Sequence, residues 1–288
     1  MTTLIIDGNN LVHRCYWVAN QTKTQENSFL HVFMFINAIK SYVEKYKPDK
    51  IFCCWDEKHE NNTNERKEQF ADYKGNRDKV YSAEVHAKNS YIKKLLDSLG
   101  VKNFFPLRLE ADDCMAFLSK EMPGKKVIVT VDRDMYQCIN EHVKVYDPIR
   151  KREVNVNNFE EIVKVPLTRF LIDKCFRGDK SDNVPGVTGM GSKAIEKYFN
   201  GKYSTTDEQN NQFKRNYELF RLDKYSSSAD ELSWYKEQLE IEQPHDFKLF
   251  KHHCEEMNLS SVLSNESKWY NAFCFGKDFN GYILNLLK

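Results

Sequence analysis

Nine carboxylates stand where apolar runs of this 288-residue chain break off or just beyond: Asp7, Asp56, Glu110, Asp112, Asp113, Asp132, Asp134, Asp179 and Asp182. Such runs read as buried strands, and in an open parallel sheet the strand ends form the crevice that receives ligands. So many negative charges in one crevice repel one another unless cations neutralise them. Divalent ions do this, and two of them about 4 Å apart are a recurring device for phosphodiester hydrolysis. Taken singly, Asp7 would pass for a helix cap. The set is harder to dismiss. Glu110-Ala111-Asp112-Asp113 puts three carboxylates in a first helical turn, Asp132-Arg133-Asp134 puts two at a strand edge, and Asp179-Lys180-Ser181-Asp182 supplies another close pair. The chemistry indicated is metal-dependent phosphodiester cleavage.

The elements that must position these groups follow from periodicity. Residues 4–6, 51–55 and 127–131 read as fully buried strands, with 101–105 and 143–146 as further ones. Helical patterns over 28–46, 83–99 and 111–120 separate them, with Gly100 and Gly124 as stops. The fold expected is therefore α/β, a mostly parallel central sheet flanked by helices. Residues 57–82 turn charged and Asn-rich, a kind of stretch that is usually functional or mobile inside a compact domain. After Val154 the pattern is mainly helical, through 167–176, 193–199 and around Tyr217 and Phe250, with 202–211 and 226–228 reading as surface loops. The division expected is a metal-binding core over 1–165 and a helical region over 166–288.

Composition agrees. With 41% hydrophobic residues the chain can bury a proper core. Met1 leads straight into Leu4-Ile5-Ile6-Asp7 without a basic and apolar leader, and no apolar run approaches a membrane span, so the expected location is cytoplasmic, the host's cytoplasm if phage-encoded. Eight cysteines without a CxxC pair read as reduced thiols. Net charge is only +1, yet setting the nine carboxylates aside leaves 33 acidic against 43 basic residues, an excess of ten available to phosphates.

The successive motifs resemble those of the 5′-nuclease family. Asp7-Gly8-Asn9-Asn10, Glu110-Ala111-Asp112-Asp113, Val131-Asp132-Arg133-Asp134 and Gly178-Asp179-Lys180-Ser181-Asp182-Asn183-Val184-Pro185-Gly186 match its signatures in order and spacing over roughly residues 1–200. The size is most similar to the stand-alone bacteriophage type. The resemblance implies two Mg²⁺ or Mn²⁺ ions, the first held by Asp7, Asp56, Glu110, Asp112 and Asp132 or Asp134, the second by Asp134, Asp179 and Asp182, with Asp113 in the same acidic set. It implies hydrolysis of 5′ flaps, free 5′ ends or RNA primers in replication and repair, on DNA or RNA–DNA hybrid, by a monomer; replication partners are not readable.

Tyr73-Lys74-Gly75-Asn76-Arg77 reads by composition as a solvated turn, but Lys74 and Arg77 are three apart and on a helix would share a face that can grip a phosphate. The family carries a matching Tyr-Lys-x-x-Arg at the base of a helical arch, here about residues 57–90. By that likeness Lys74 and Arg77 act on the scissile phosphate, and Tyr73 and Arg66 lie along the DNA path. Two departures stand there: the Asp56-to-Arg66 spacing is three longer than usual, and Glu65 replaces a phenylalanine. Gly186-Val187-Thr188-Gly189-Met190-Gly191-Ser192-Lys193 reads as a helix-hairpin-helix, about 180–200, whose Gly186, Gly189, Gly191 and Lys193 would meet DNA phosphates. The resemblance adds K⁺ at this hairpin and Lys174 near the substrate. Two other readings stay open: a phosphatase with Asp7 as nucleophile, and a DNA-junction binding protein without catalysis.

Overall fold

The computed structural model describes residues 1–21, 29–56, 64–75, 79–243 and 245–274. The chain opens with β1 (Thr2–Asp7), α1 (Gly8–Gln21), α2 (Leu30–Tyr46) and β2 (Lys50–Cys54). Then come α3 (Glu65–Gln69), α4 (Lys79–His86), α5 (Asn89–Ser98), β3 (Lys102–Phe104), α6 (Ala111–Glu121) and β4 (Lys125–Val129). A 3₁₀ turn (Arg133–Cys138) leads to β5 (Val143–Asp147), β6 (Arg152–Val154) and α7 (Phe159–Val163). The six strands lie in the order β3-β2-β1-β4-β5-β6, the first five parallel and β6 antiparallel to β5.

Both faces of the sheet are apolar, as expected where helices cover each side. Alternate strand residues divide between two cores. Leu4, Ile6, Cys53, Val127 and Val129 pack with α1, α2 and α5; Ile5, Phe52, Cys54 and Ile128 pack with α6. The chain runs from β1 to β2 on one side, and from β3 back past β1 to β4 on the other. The order therefore reverses at β1, and the carboxyl ends of β1 and β4 border a crevice.

The second half comprises α8 (Phe170–Arg177), the short pair β7 (Gly178–Asp179) and β8 (Val184–Pro185), α9 (Ser192–Phe199), α10 (Asp207–Phe220), α11 (Ala229–Glu240), α12 (Phe247–Glu256), α13 (Ser260–Leu263) and α14 (Glu266–Phe273). The boundary expected near 165 does not separate two cores. Tyr235 of α11 is fully buried in the α6 core, and Phe250, Trp269 and Phe273 of α12 and α14 join the α2–α5 core.

Local differences from the sequence reading have physical reasons. The helix expected over 83–99 breaks at residues 87–88, where Asn89 and His86 side chains bond across the break. The loop expected over 202–211 ends early, because Thr206 and Gln209 form a reciprocal capping box that starts α10. Among the described residues no helix is long and apolar enough to cross a membrane.

Candidate metal centre and its basic surround

Asp7 ends the central strand and is almost fully enclosed. One oxygen accepts the Asn10 amide at 2.9 Å and the other the Thr130 hydroxyl at 2.7 Å. Thr130 in turn accepts the Asp132 amide at 3.0 Å, so one hydroxyl orients the carboxylate-bearing ends of β1 and β4 together. Asp132 caps the 3₁₀ turn by accepting the Asp134 amide at 2.8 Å, which aims Asp134 back toward the crevice. Asp56, two residues beyond β2, accepts the Ala111 amide at 2.7 Å and thereby meets the first turn of α6.

The electrostatics show that these groups face one another. Burial first, then repulsion from Asp132 and Asp56, push the Asp7 carboxyl up to about 7 against its two hydrogen bonds. Burial with repulsion from Asp132 and Asp7 holds Asp112 well above the carboxylate range. Asp134 rises to about 6 through burial and the charges of Asp132 and Asp179, although Lys174 pulls the other way. Asp134, Asp179 and Asp182 each bring a carboxylate oxygen within 4.8 Å of the others. Oxygen-only donors, enclosed and mutually repelling, suit hard divalent cations. Asp134, Asp179 and Asp182 together fit a divalent cation.

Glu110 behaves differently. Its oxygens accept from Lys74 Nζ (2.7 Å), Tyr73 Oη (3.0 Å), Asn64 Nδ2 (3.2 Å) and Arg66 (3.4 Å). Burial would raise its pKa, but Lys74 and Arg66 outweigh burial and hold it at about 2. Asp113 is fully enclosed and corrects an expectation: both its oxygens grip Arg66, at 2.6 and 2.9 Å, and Oδ2 also accepts the Glu110 amide. Its carboxylate is thus engaged in a bidentate pair with Arg66. Burial raises Asp113, with Arg66 opposing.

Arg66 and Tyr73, expected along the DNA path, are both enclosed by neighbouring groups. Arg66 is 1% exposed, and besides Asp113 it donates to the carbonyls of Leu219 and Arg221 at the end of α10. Tyr73 is 3% exposed, with its hydroxyl on Glu110 and Asp182. Lys74 stands in a turn, with φ of 53°, rather than on a helix, and its amide donates to the Asp182 carbonyl at 3.0 Å. Arg77 lies outside the described residues, as do 57–63 of the expected arch.

Lys174 donates to Asp134 and to Asp179, the latter at 2.9 Å. The hairpin follows directly. A Cβ on Gly186 would sit 2.6 Å from the Arg177 carbonyl, so only glycine lets β8 close on α8. Gly189 has φ of +78°, Gly191 stands in open space before α9, and Lys193 is exposed. Asn216 of α10 locks the turn by donating to the Cys175 and Pro185 carbonyls, at 2.8 and 2.9 Å.

Sequence reading missed the supports. Glu231 of α11 accepts the amides of Leu107 and Arg108 (2.7 and 3.0 Å), and Gln238 and Trp234 bond the Phe105 backbone, so α11 fixes the loop that delivers Glu110. Lys224, 2% exposed, ties α3 through Glu65 and Gln69. No local signal marks these, since each partner lies over 120 residues away in sequence. Of the aromatics near the first strands, Phe35 is buried against Trp55, whereas Trp17 is 59% exposed.

The DNA polymerase I of Caldicellulosiruptor bescii is 28% identical over 218 residues, which cover 72% of this chain and 25% of that enzyme. The chain thus spans about a quarter of the length of the polymerases it matches. The 5′-3′ exonuclease of Bacillus subtilis is 28% identical over 222 residues, 71% of each chain. Among solved structures, bacteriophage T5 D15 protein co-crystallised with metal ions superposes with a TM-score of 0.67 at 20% identity, covering 83% of this chain and 99% of that one. A T5 D15 flap endonuclease complex with DNA and metal ions gives the same TM-score at 18% identity over 83% and 98%. The sequence model of the family described as 5′-3′ exonuclease, N-terminal resolvase-like domain, matches residues 2–164, and the chain belongs to that family.

Proposed function

We propose that the chain is a divalent-metal-dependent 5′ nuclease, hydrolysing phosphodiesters of DNA with a 5′ flap or free 5′ end, and RNA primers in RNA–DNA hybrid, during replication and repair. The observation that carries this reading is the convergence of Asp134, Asp179 and Asp182 oxygens within 4.8 Å, beside a second group built from Asp7, Asp56, Asp112 and Asp132. Asp7, Asp56, Asp112 and Asp132 hold one ion and Asp134, Asp179 and Asp182 the other, with Mg²⁺ or Mn²⁺ the physiological choice. Bound there, the two ions supply activation of the attacking water and stabilisation of the leaving oxygen.

The protein's own groups position the substrate. Lys74 reaches the crevice from the arch base and orients a phosphate, while Glu110 holds the lysine in place. The glycine hairpin offers backbone amides to the duplex backbone, and a K⁺ ion held there would add positive charge toward the phosphates. Contacts of this kind carry no base information, so recognition is of DNA structure. The enzyme works as a cytoplasmic monomer. Asp7 as a phosphorylated nucleophile is disfavoured, since it stands as one of several like-charged carboxylates that cations would have to neutralise together.

An end-labelled 5′-flap duplex is cut near the junction with Mg²⁺ and left whole with EDTA. An intact flap under saturating Mg²⁺ or Mn²⁺ overturns the reading.

The Lys74–Glu110 pair is largely enclosed, with side chains 12% and 8% exposed. Lys74→Met therefore slows single-turnover cleavage about 100-fold and also destabilises the fold by about 1–3 kcal/mol, because a buried acceptor loses its strongest donor. Lys74→Arg recovers stability more than rate. A Lys74→Met variant with unchanged single-turnover rate removes this residue from the mechanism.

A further inference from the structure

We infer that Lys174 is a built-in counter-ion of the second carboxylate group, competing with the divalent ion for Asp134 and Asp179 and so setting that site's affinity. The inference rests on the metal-site reading above and adds a positioning residue to it. Lys174 arises from the last turn of α8, whose C-terminal glycine passes directly into Asp179. Its carbonyl accepts the Gly178 amide, so the lysine backbone and the carboxylate are fixed to the same turn.

The side chain is enclosed where it stands. It is 11% exposed, and the ammonium lies 4.5 Å from the Phe220 ring centroid. That head group donates to Asp134 Oδ1 and to Asp179 Oδ2, the latter at 2.9 Å. These are two of the three carboxylates whose oxygens gather within 4.8 Å. A divalent ion takes lone pairs on carboxylate oxygens, and an ammonium bonded to the same oxygens uses some of them. Two cations against the same pair of carboxylates also repel. Entry of the ion at full affinity therefore requires the ammonium to turn away, and that displacement is charged against ion binding.

The counter-ion has a use in the ion-free protein. Asp134, Asp179 and Asp182 carry three negative charges, which one ammonium partly neutralises. Because Lys174 holds Asp134 to Asp179, the 3₁₀ turn after β4 stays docked against α8. The group first expected simply near the substrate thus acts earlier, on the loading of the site.

Lys174→Met tests this, since methionine keeps an apolar stem against Phe220 and removes the charge. Mn²⁺ binding is followed by calorimetry and by the loss of the free-ion paramagnetic resonance signal, with no substrate present. Wild type is expected to show one tighter and one weaker ion. Lys174→Met tightens the weaker event at least about ten-fold, leaves the tighter one unchanged, and lowers the melting temperature in EDTA. Lys174→Arg restores the wild-type affinity. Equal or weaker second-ion binding in a folded Lys174→Met protein overturns the inference, because the lysine then organises the carboxylates without competing. Asp182→Asn separates the two ideas. If it leaves both ions in place, the metal-site reading itself fails, whatever Lys174→Met does.

Discussion

Asp132→Asn and Asp179→Asn each lower cleavage of a 5′-flap duplex by at least about a thousand-fold, the loss of about 4 kcal/mol of transition-state stabilisation. Both substitutions remove charge and keep shape. Asp132 Oδ1 accepts the Asp134 amide at 2.8 Å, and Asp179 Oδ1 accepts the Ser181 amide at 2.8 Å and its hydroxyl at 2.5 Å. An asparagine oxygen can accept each of those bonds, so the turns that aim the neighbouring carboxylates survive. Duplex affinity in Ca²⁺ should stay within about three-fold of wild type, because phosphate contacts come from basic groups and the hairpin.

Asp132→Asn carries a second signature. The Asp132 charge repels Asp7, Asp112 and Asp134, all enclosed. Removing it raises the melting temperature in EDTA while activity falls, as happens where a functional charge cluster is held at the expense of stability. Near wild-type cleavage by both variants would remove the acidic cluster from the chemistry.

The carboxylate set was legible because each member sits at an element boundary, and parallel strands deliver such boundaries to one edge. Asp7 at the end of β1, Asp56 after β2 and Asp132 after β4 needed only the strand pattern and the switch in strand order. What stayed hidden was which carboxylates face the crevice. Asp112 and Asp113 are adjacent in sequence, yet a step of about 100° around α6 separates a crevice-facing group from one sealed against Arg66.

Arg66 itself was read as a DNA contact from its place in the arch motif. Its real partners, Asp113, Leu219 and Arg221, lie 47 to 155 residues away, a distance across which charge pattern predicts nothing. The role of the C-terminal third was equally invisible. That α11 clamps the Glu110 loop depends on Glu231 and Gln238 meeting backbone groups that no composition marks.

Arg66→Leu destabilises the protein by about 3–5 kcal/mol, because it leaves one partner of a buried ion pair alone. Arg66 is 1% exposed and five hydrogen bonds leave its guanidinium: two to Asp113, one to Glu110, and one each to the Leu219 and Arg221 carbonyls. Leucine fills part of the volume and answers none of these acceptors. Arg66→Lys recovers little, since a single ammonium cannot match two carboxylate oxygens and two carbonyls in one plane. The pH dependence has a defined sign. Asp113 is already raised by burial with Arg66 opposing, so in Arg66→Leu its folded-state pKa climbs further above the unfolded value of 3.8. A carboxyl raised on folding costs stability as pH rises from the unfolded value through the folded one, so the variant's deficit is larger at pH 8 than at pH 5. Arg66→Leu combined with Asp113→Leu removes the stranded charge and is more stable than Arg66→Leu alone, although the two carbonyls stay unanswered. Urea melts of the four proteins at both pH values decide it. A deficit under about 1 kcal/mol, or one independent of pH, would mean that α3 is not anchored to the site through this pair.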